Sequence, residues 1–207
     1  MTTLAEMIDM VDGITNRTDL VKETKLAIKS ATLREHAAVD YSKDLMLTSI
    51  ALSPGSPDTF RYLIPAASIR ARKITPKIYE TPVVQVSSAY TNLGVYGLIE
   101  LNEVSAFNIF DTYRLEHYNY WYNTASGIHI SAVRSLASVD ILYYKYTDVT
   151  DSGYSSWIAD EFPYVIADFA AIEIFRLLGR TAEQNAYTVK AKENRLTLIA
   201  SNITAIG

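Results

Sequence analysis

Hydrophobic positions recur at three- and four-residue steps toward both ends of the chain and at two-residue steps between them. Thr3 and Glu6 have the spacing of a capping box, in which a hydroxyl and a carboxylate satisfy the free amides at a helix start. A short helix is predicted through Leu4, Met7, Ile8 and Val11, ending at Gly13. A second helix is predicted with Thr18 as cap and Asp19 against its positive end, reaching Val39. Leu20, Thr24, Ala27, Ile28 and Ala31 form its apolar stripe, with Lys22, Lys25 and Lys29 facing away.

From Leu45 the period shortens. Met46, Thr48, Ile50 and Leu52 alternate with smaller partners, and Ser53-Pro54-Gly55-Ser56-Pro57-Asp58 reads as a turn. Phe60–Ile64, Ile69–Thr75, Val83–Ser87 and Val95–Leu101 read as further strands, with prolines 65, 76 and 82 at their boundaries. A hairpin is predicted from Thr112–Tyr122 and Ile128–Val133, joined by residues 123–127. Ile128, Ile130 and Ala132 point one way in its second arm, and Val139, Ile141 and Tyr143 begin another strand.

Helical spacing resumes at Trp157, with Pro163 in the first turn, where its missing amide costs nothing. Phe162, Val165, Ile166, Phe169, Ile172, Phe175 and Leu178 make a broad stripe, and Gly179 ends that helix. Thr181 and Gln184 repeat the capping-box spacing. The last helix is expected to bury Ala186, Val189, Leu196, Ile199 and Ile203. Separated helices bury their stripes only by coming together. The expected fold is therefore α+β: a bundle of N- and C-terminal helices around an inserted antiparallel β-sandwich or barrel-like region. The divisions are 1–44, 45–150 and 151–207.

Composition narrows the function. The 207 residues are 49% hydrophobic and 20% charged, ample for a core. No apolar run approaches the roughly 20 residues of a membrane span. Met1–Glu6 lacks the basic start and apolar core of a signal peptide, which points to synthesis in a cytoplasm. There is no cysteine, so disulfides, thiolate nucleophiles and sulfur-bound zinc are excluded. A net charge of −4 argues against a general basic field for nucleic acid.

Chemistry is sparse in the pattern. Glycine-rich phosphate loops and nucleophile elbows are absent, and His36, His117 and His129 are widely separated. His117 and His129 could meet across the hairpin, but Asp111 and Glu116 complete no ligand set. The reading is therefore a non-enzyme without cofactor or metal. Arg61, Arg70, Arg72, Lys73 and Lys77 form a basic segment without an acid between them; it reads as a protected strand edge, an acidic-partner contact or a nucleic-acid contact. The chain carries 15 Tyr against 6 Phe. Thr112–Tyr122 has aromatics on both parities, which a docked neighbouring subunit would explain, with Tyr118, Tyr120, Trp121 and Tyr122 as contacts.

Three blocks carry a family resemblance. They are Thr15–Leu20 with Ala27–His36, Phe110–Tyr113 leading into Tyr118–Tyr122, and Trp157–Pro163 with its helix to Gly179. In their residues and in their order along the chain they resemble head-to-tail adaptor (connector) proteins of tailed bacteriophages, of the tail-tubular-protein-A-like kind. The family usually has Pro after the Asn-Arg pair, where this chain has Thr18. The resemblance implies a virion neck protein: a ring, commonly of twelve copies, docked under the portal, carrying tail or nozzle proteins and passing DNA through its lumen without sequence-specific binding. It also implies that the chain end docks on the portal, which singles out Leu196, Ile199, Asn202 and Ile203. A tail terminator or tail-completion protein is the alternative, followed by a nucleic-acid module using residues 61–77.

Overall fold

The computed structural model describes residues 1–52, 61–81, 99–103, 120–131 and 138–204, with the backbone alone at 75–81, 99–103, 203 and 204. The chain is α+β and divides into two compact units. Met1–Asp44 with Thr147–Gly207 forms a helical unit, and Leu45–Tyr146 forms a β unit. The expected turn at 53–58, the strand Val83–Ser87 and the hairpin arm before Tyr120 lie outside the described residues.

Helix α1 (Leu4–Thr15) opens on the expected capping box. The Glu6 amide donates to Thr3 Oγ1 at 3.2 Å, and the Thr3 amide donates to Glu6 Oε2 at 2.7 Å. It runs through Gly13 and ends at Asn16, which takes the left-handed conformation (φ 53°). Helix α2 (Val21–Ala38) starts later than Thr18 suggests, and no side chain caps it. Arg17 instead grips Asp19 through two bonds of 2.6 and 2.7 Å, holding the connection in a non-helical turn. Its stripe forms as read and extends further, through Thr32, Glu35 and His36.

The helix expected from Trp157 is two: α3 (Trp157–Glu161) and α4 (Pro163–Leu177). Phe162, the residue before Pro163, is pushed out of helical geometry (φ −134°, ψ 55°) by the proline ring. Ser156 caps α3, accepting the Ala159 amide at 3.2 Å. Helix α4 closes in a Schellman arrangement: Gly179 N donates to Arg176 O, Arg180 N donates to Phe175 O, and Gly179 supplies the left-handed residue.

Helix α5 (Thr181–Thr204) corrects the sequence reading of its face. Thr181 is its first residue, so Thr181 does not stand ahead of the helix as a cap. Ala186, Val189 and Leu196 are exposed and Ile199 is half-buried, whereas Ala191, Leu198 and Asn202 are buried. The inward face also carries Asn194 and Arg195, because buried acids on α2 and α4 select polar partners there. The core of this unit joins Met7, Val11, Ile28, Ala31, Ile158, Ile166, Ile174 and Leu198. Each large side chain so buried contributes about 1.5–3 kcal/mol.

In the β unit the strands are β1 (Leu45–Ala51), β2 (Arg61–Pro65), β3 (Ala71–Thr81), β4 (Ile99–Glu103), β5 (Tyr120–Thr124), β6 (Gly127–Ser131) and β7 (Ser138–Lys145). Their order is β1-β7-β3-β4-β5-β6-β2. Neighbours pair antiparallel except β4 and β5, joined by a short parallel contact at Asn102–Tyr120 and Glu103–Trp121. Pro76 falls inside β3, not at a strand boundary. The ladder with β7 skips from Ile74–Tyr143 to Ile78–Ile141, a bulge that spares the proline the amide it lacks.

The β5–β6 hairpin turns over Ala125–Ser126 and pairs Thr124 with Gly127, a tighter turn than the residue 123–127 loop of the sequence reading. Gly127 has φ 141°, and a Cβ there would stand 2.0 Å from the Ile64 carbonyl oxygen, so the close approach of β2 requires glycine. Ile128 and Ile130 face the core with Tyr62, Ile64, Trp121, Val139 and Ile141.

Candidate functional site

A row of buried polar groups runs through the helical unit. His36, at the end of α2, lies with Nδ1 2.8 Å from Asp44 Oδ2 and Nε2 2.9 Å from Ser156 Oγ. Trp157 Nε1 donates to Asp44 Oδ1 at 2.8 Å, and its indole meets Tyr41 edge-on at 5.2 Å. Asp44 ends the first helical segment of the chain and Ser156 opens the second, so the row ties the two stretches of sequence together. In the tautomer that turns Nδ1–H toward the carboxylate, Nε2 accepts the Ser156 hydroxyl.

The order Asp–His–Ser is that of a nucleophilic triad. Its surroundings are not. Ser156 is 3% exposed and its oxygen already holds the Ala159 amide, so no substrate carbonyl reaches it. What this arrangement does is pair His36, Asp44, Ser156 and Trp157 with one another across a buried junction. The Tyr41 hydroxyl beside it has no hydrogen-bond partner among the described residues, and burial, then the negative charge of Glu35, pushes its pKa up to about 12.

Two further buried acids anchor α5. Glu35 on α2 meets Arg195, with Nε 3.1 Å from Oε2 and out of line for a hydrogen bond. Burial raises the Glu35 pKa, and Arg195 and Arg34 pull it back. Asp168 on α4 accepts from Asn194 Nδ2 at 2.7 Å and from Lys190 Nζ at 3.2 Å. Sequence reasoning passed over these groups. The signal was present: Glu35 continues the spacing of Thr24, Ile28 and Ala31, and Asp168 sits within the apolar run of α4.

The outer surface of the helices is unexpectedly apolar. Leu26 (60% exposed) and Leu33 (40%) stand seven residues apart on α2, and Val189 (59%) and Leu196 (66%) seven apart on α5. Seven residues is close to two helical turns, so each pair shares one helix face. Tyr164 and Leu177 on α4 are also exposed.

Of the residues singled out from sequence, Tyr118 lies outside the described set. Tyr120 and Trp121 are buried, Tyr120 stacked on Tyr122 at 6.4 Å and Trp121 in the core of the β unit. Tyr122 is half-buried and stacks on His129 at 4.8 Å. Leu196 is open, Ile199 half-open, and Asn202 is buried with Ser42 Oγ donating to its Oδ1 at 3.3 Å; the Ile203 side chain is outside the description.

Arg61, Arg70 and Lys73 are exposed and Arg72 is half-buried; the Lys77 side chain is not described. Arg72 and Lys73 lie over the Tyr144 ring at 5.4 and 5.8 Å, which uses part of this charge internally. Arg61 sits on β2, which is not adjacent to β3 in sheet order.

A cleft of about 350 Å³ opens in the β unit, lined by Ile64, Ile69, Ile74 and Ile128 together with Arg70 and Tyr146. Thr124 and Tyr146 bring hydroxyls to it, and among the described residues no carboxylate or histidine lines it. Among the described residues no three His, Asp or Glu side chains gather as metal ligands, and no helix is long and apolar enough to cross a membrane. A comparison with protein-family models and with curated proteins finds no match.

Proposed function

We propose that this chain is a virion structural protein, a head-to-tail adaptor that forms a ring beneath the portal. In this reading the helices build the ring wall as a bundle, and the β unit, sandwich- or barrel-like, projects toward the tail side or onto neighbours. The ring continues the DNA channel and presents the attachment surface for tail or nozzle proteins. The family resemblance of the three sequence blocks suggests this assignment. The observation that carries it is the outward placement of Leu26, Leu33, Val189 and Leu196 on a helical unit whose interior is already filled. Large apolar side chains repeated along exposed helix faces suit burial between copies, and contacts between unlike faces close a ring when the rotation between neighbours closes.

The buried polar groups support the same reading. Asp44, His36, Ser156, Glu35 and Asp168 are spent on holding the helices together. The reading therefore assigns the chain no catalysis and no cofactor. Mixing the purified protein with the portal protein of its virus and sedimenting the mixture tests the proposal. Co-migration as a ring-sized complex is the expected result, and no affinity for the portal would contradict it. Binding to tail-tube protein instead would favour a tail terminator.

A further inference from the structure

Strand β1 stands at one edge of the seven-strand order, with β7 as its partner along its whole length. Among the described residues, its other side makes no backbone hydrogen bond. An edge of this kind normally carries protection: a charge, a proline, a bulge or a very short strand. Leu45-Met46-Leu47-Thr48-Ser49-Ile50-Ala51 has none of these, and its register with β7 is unbroken. The opposite edge strand, β2, is shorter, begins at Arg61 and ends at Pro65. Met46 (40% exposed) and Leu47 (63%) leave apolar surface on both faces of β1.

We propose that β1 is a docking edge for a second copy of this chain, pairing antiparallel with that copy's own β1 about a two-fold axis. The charge pattern selects this occupant. An uncharged strand in an apolar setting accepts an uncharged strand, and among the seven strands only β1, β5 and β6 lack Asp, Glu, Lys and Arg. Both β5 and β6 are internal, paired on each side. That leaves β1.

An axis through Thr48 places Leu45 opposite Ala51, Met46 opposite Ile50 and Leu47 opposite Ser49. No like charges meet, and the exposed apolar residues of each copy gain cross-strand neighbours. Such a contact is isologous, the commonest symmetry of soluble pairs. It joins the two sheets into one and satisfies the open backbone groups by strand addition. It concerns the free chain and does not rest on the adaptor reading.

The absence of cysteine makes the test clean. The full chain carrying Thr48→Cys, treated with a mild oxidant, is expected to form a covalent dimer, whereas Leu177→Cys, on exposed α4 surface, is not. Sedimentation velocity at micromolar concentration is expected to show a dimer for the unaltered protein. Leu47→Lys is expected to weaken that dimer by at least about tenfold with an unchanged circular dichroism spectrum. A monomer at these concentrations overturns the proposal. So does a dimer that Leu47→Lys leaves intact while position 48 fails to cross-link. Should Leu47→Lys disturb folding, the Thr48→Cys cross-link against its Leu177→Cys control decides alone.

Discussion

His36 Nδ1 lies 2.8 Å from Asp44 Oδ2 with both side chains buried, and this contact fixes the point where the chain leaves its first helical segment. Removing either partner strands the other. His36→Ala is expected to cost about 3 kcal/mol of stability and Asp44→Ala at least as much, since Trp157 Nε1 also loses its acceptor. Urea unfolding followed by far-ultraviolet circular dichroism and by tryptophan fluorescence measures both.

Glu35 predicts a pH dependence. Burial raises its folded pKa above the ordinary 4.5, and Arg195 opposes that rise. Between the unfolded and folded values the native state holds a proton that the unfolded chain has lost, so stability falls as pH rises through that window. Arg195→Ala removes the opposing charge and widens the window upward. The variant is therefore expected to lose more stability relative to the unaltered protein at about pH 7 than at about pH 5, read from urea midpoints at the two values.

Two glycines predict opposite signs. Gly127→Ala places a Cβ against the Ile64 carbonyl at φ 141°, and is expected to destabilise the β unit by more than about 2 kcal/mol. Gly13 lies inside α1 with open space around it, and Gly13→Ala is expected to stabilise by about 0.5–1 kcal/mol. Thermal melting of the two variants compares them directly.

Under the proposed adaptor role, the exposed helix faces predict a separation of folding from assembly. Leu26→Glu and Leu196→Glu are expected to leave the melting temperature within about 2 °C of the unaltered value, as surface changes do. Both are expected to abolish co-sedimentation with portal. Retained assembly in the double variant would remove these faces from the interface.

Much of the fold was legible because its determinants are local. The Thr3–Glu6 box, the Gly179 stop and the alternation of Ile128, Ile130, Val139 and Ile141 each act over a few residues. Most of the errors share a physical source: long-range partners overrode local preference. Val189 and Leu196 attracted the reading of α5, but Glu35 and Asp168 turn Arg195 and Asn194 inward. Thr18 had cap chemistry, but the Arg17–Asp19 pair delayed the helix. Pro76 looked like a boundary until a bulge against β7 accommodated it. His36 stands isolated in the sequence because Ser156 reaches it from 120 positions away.

Imaging the neck of the intact virus at a resolution that traces side chains tests the central claim most directly. The account predicts this chain as a closed ring directly beneath the portal, with Leu26, Leu33, Val189 and Leu196 covered by neighbouring subunits. A neck in which this density is missing, or in which those four side chains face open solvent, would contradict it.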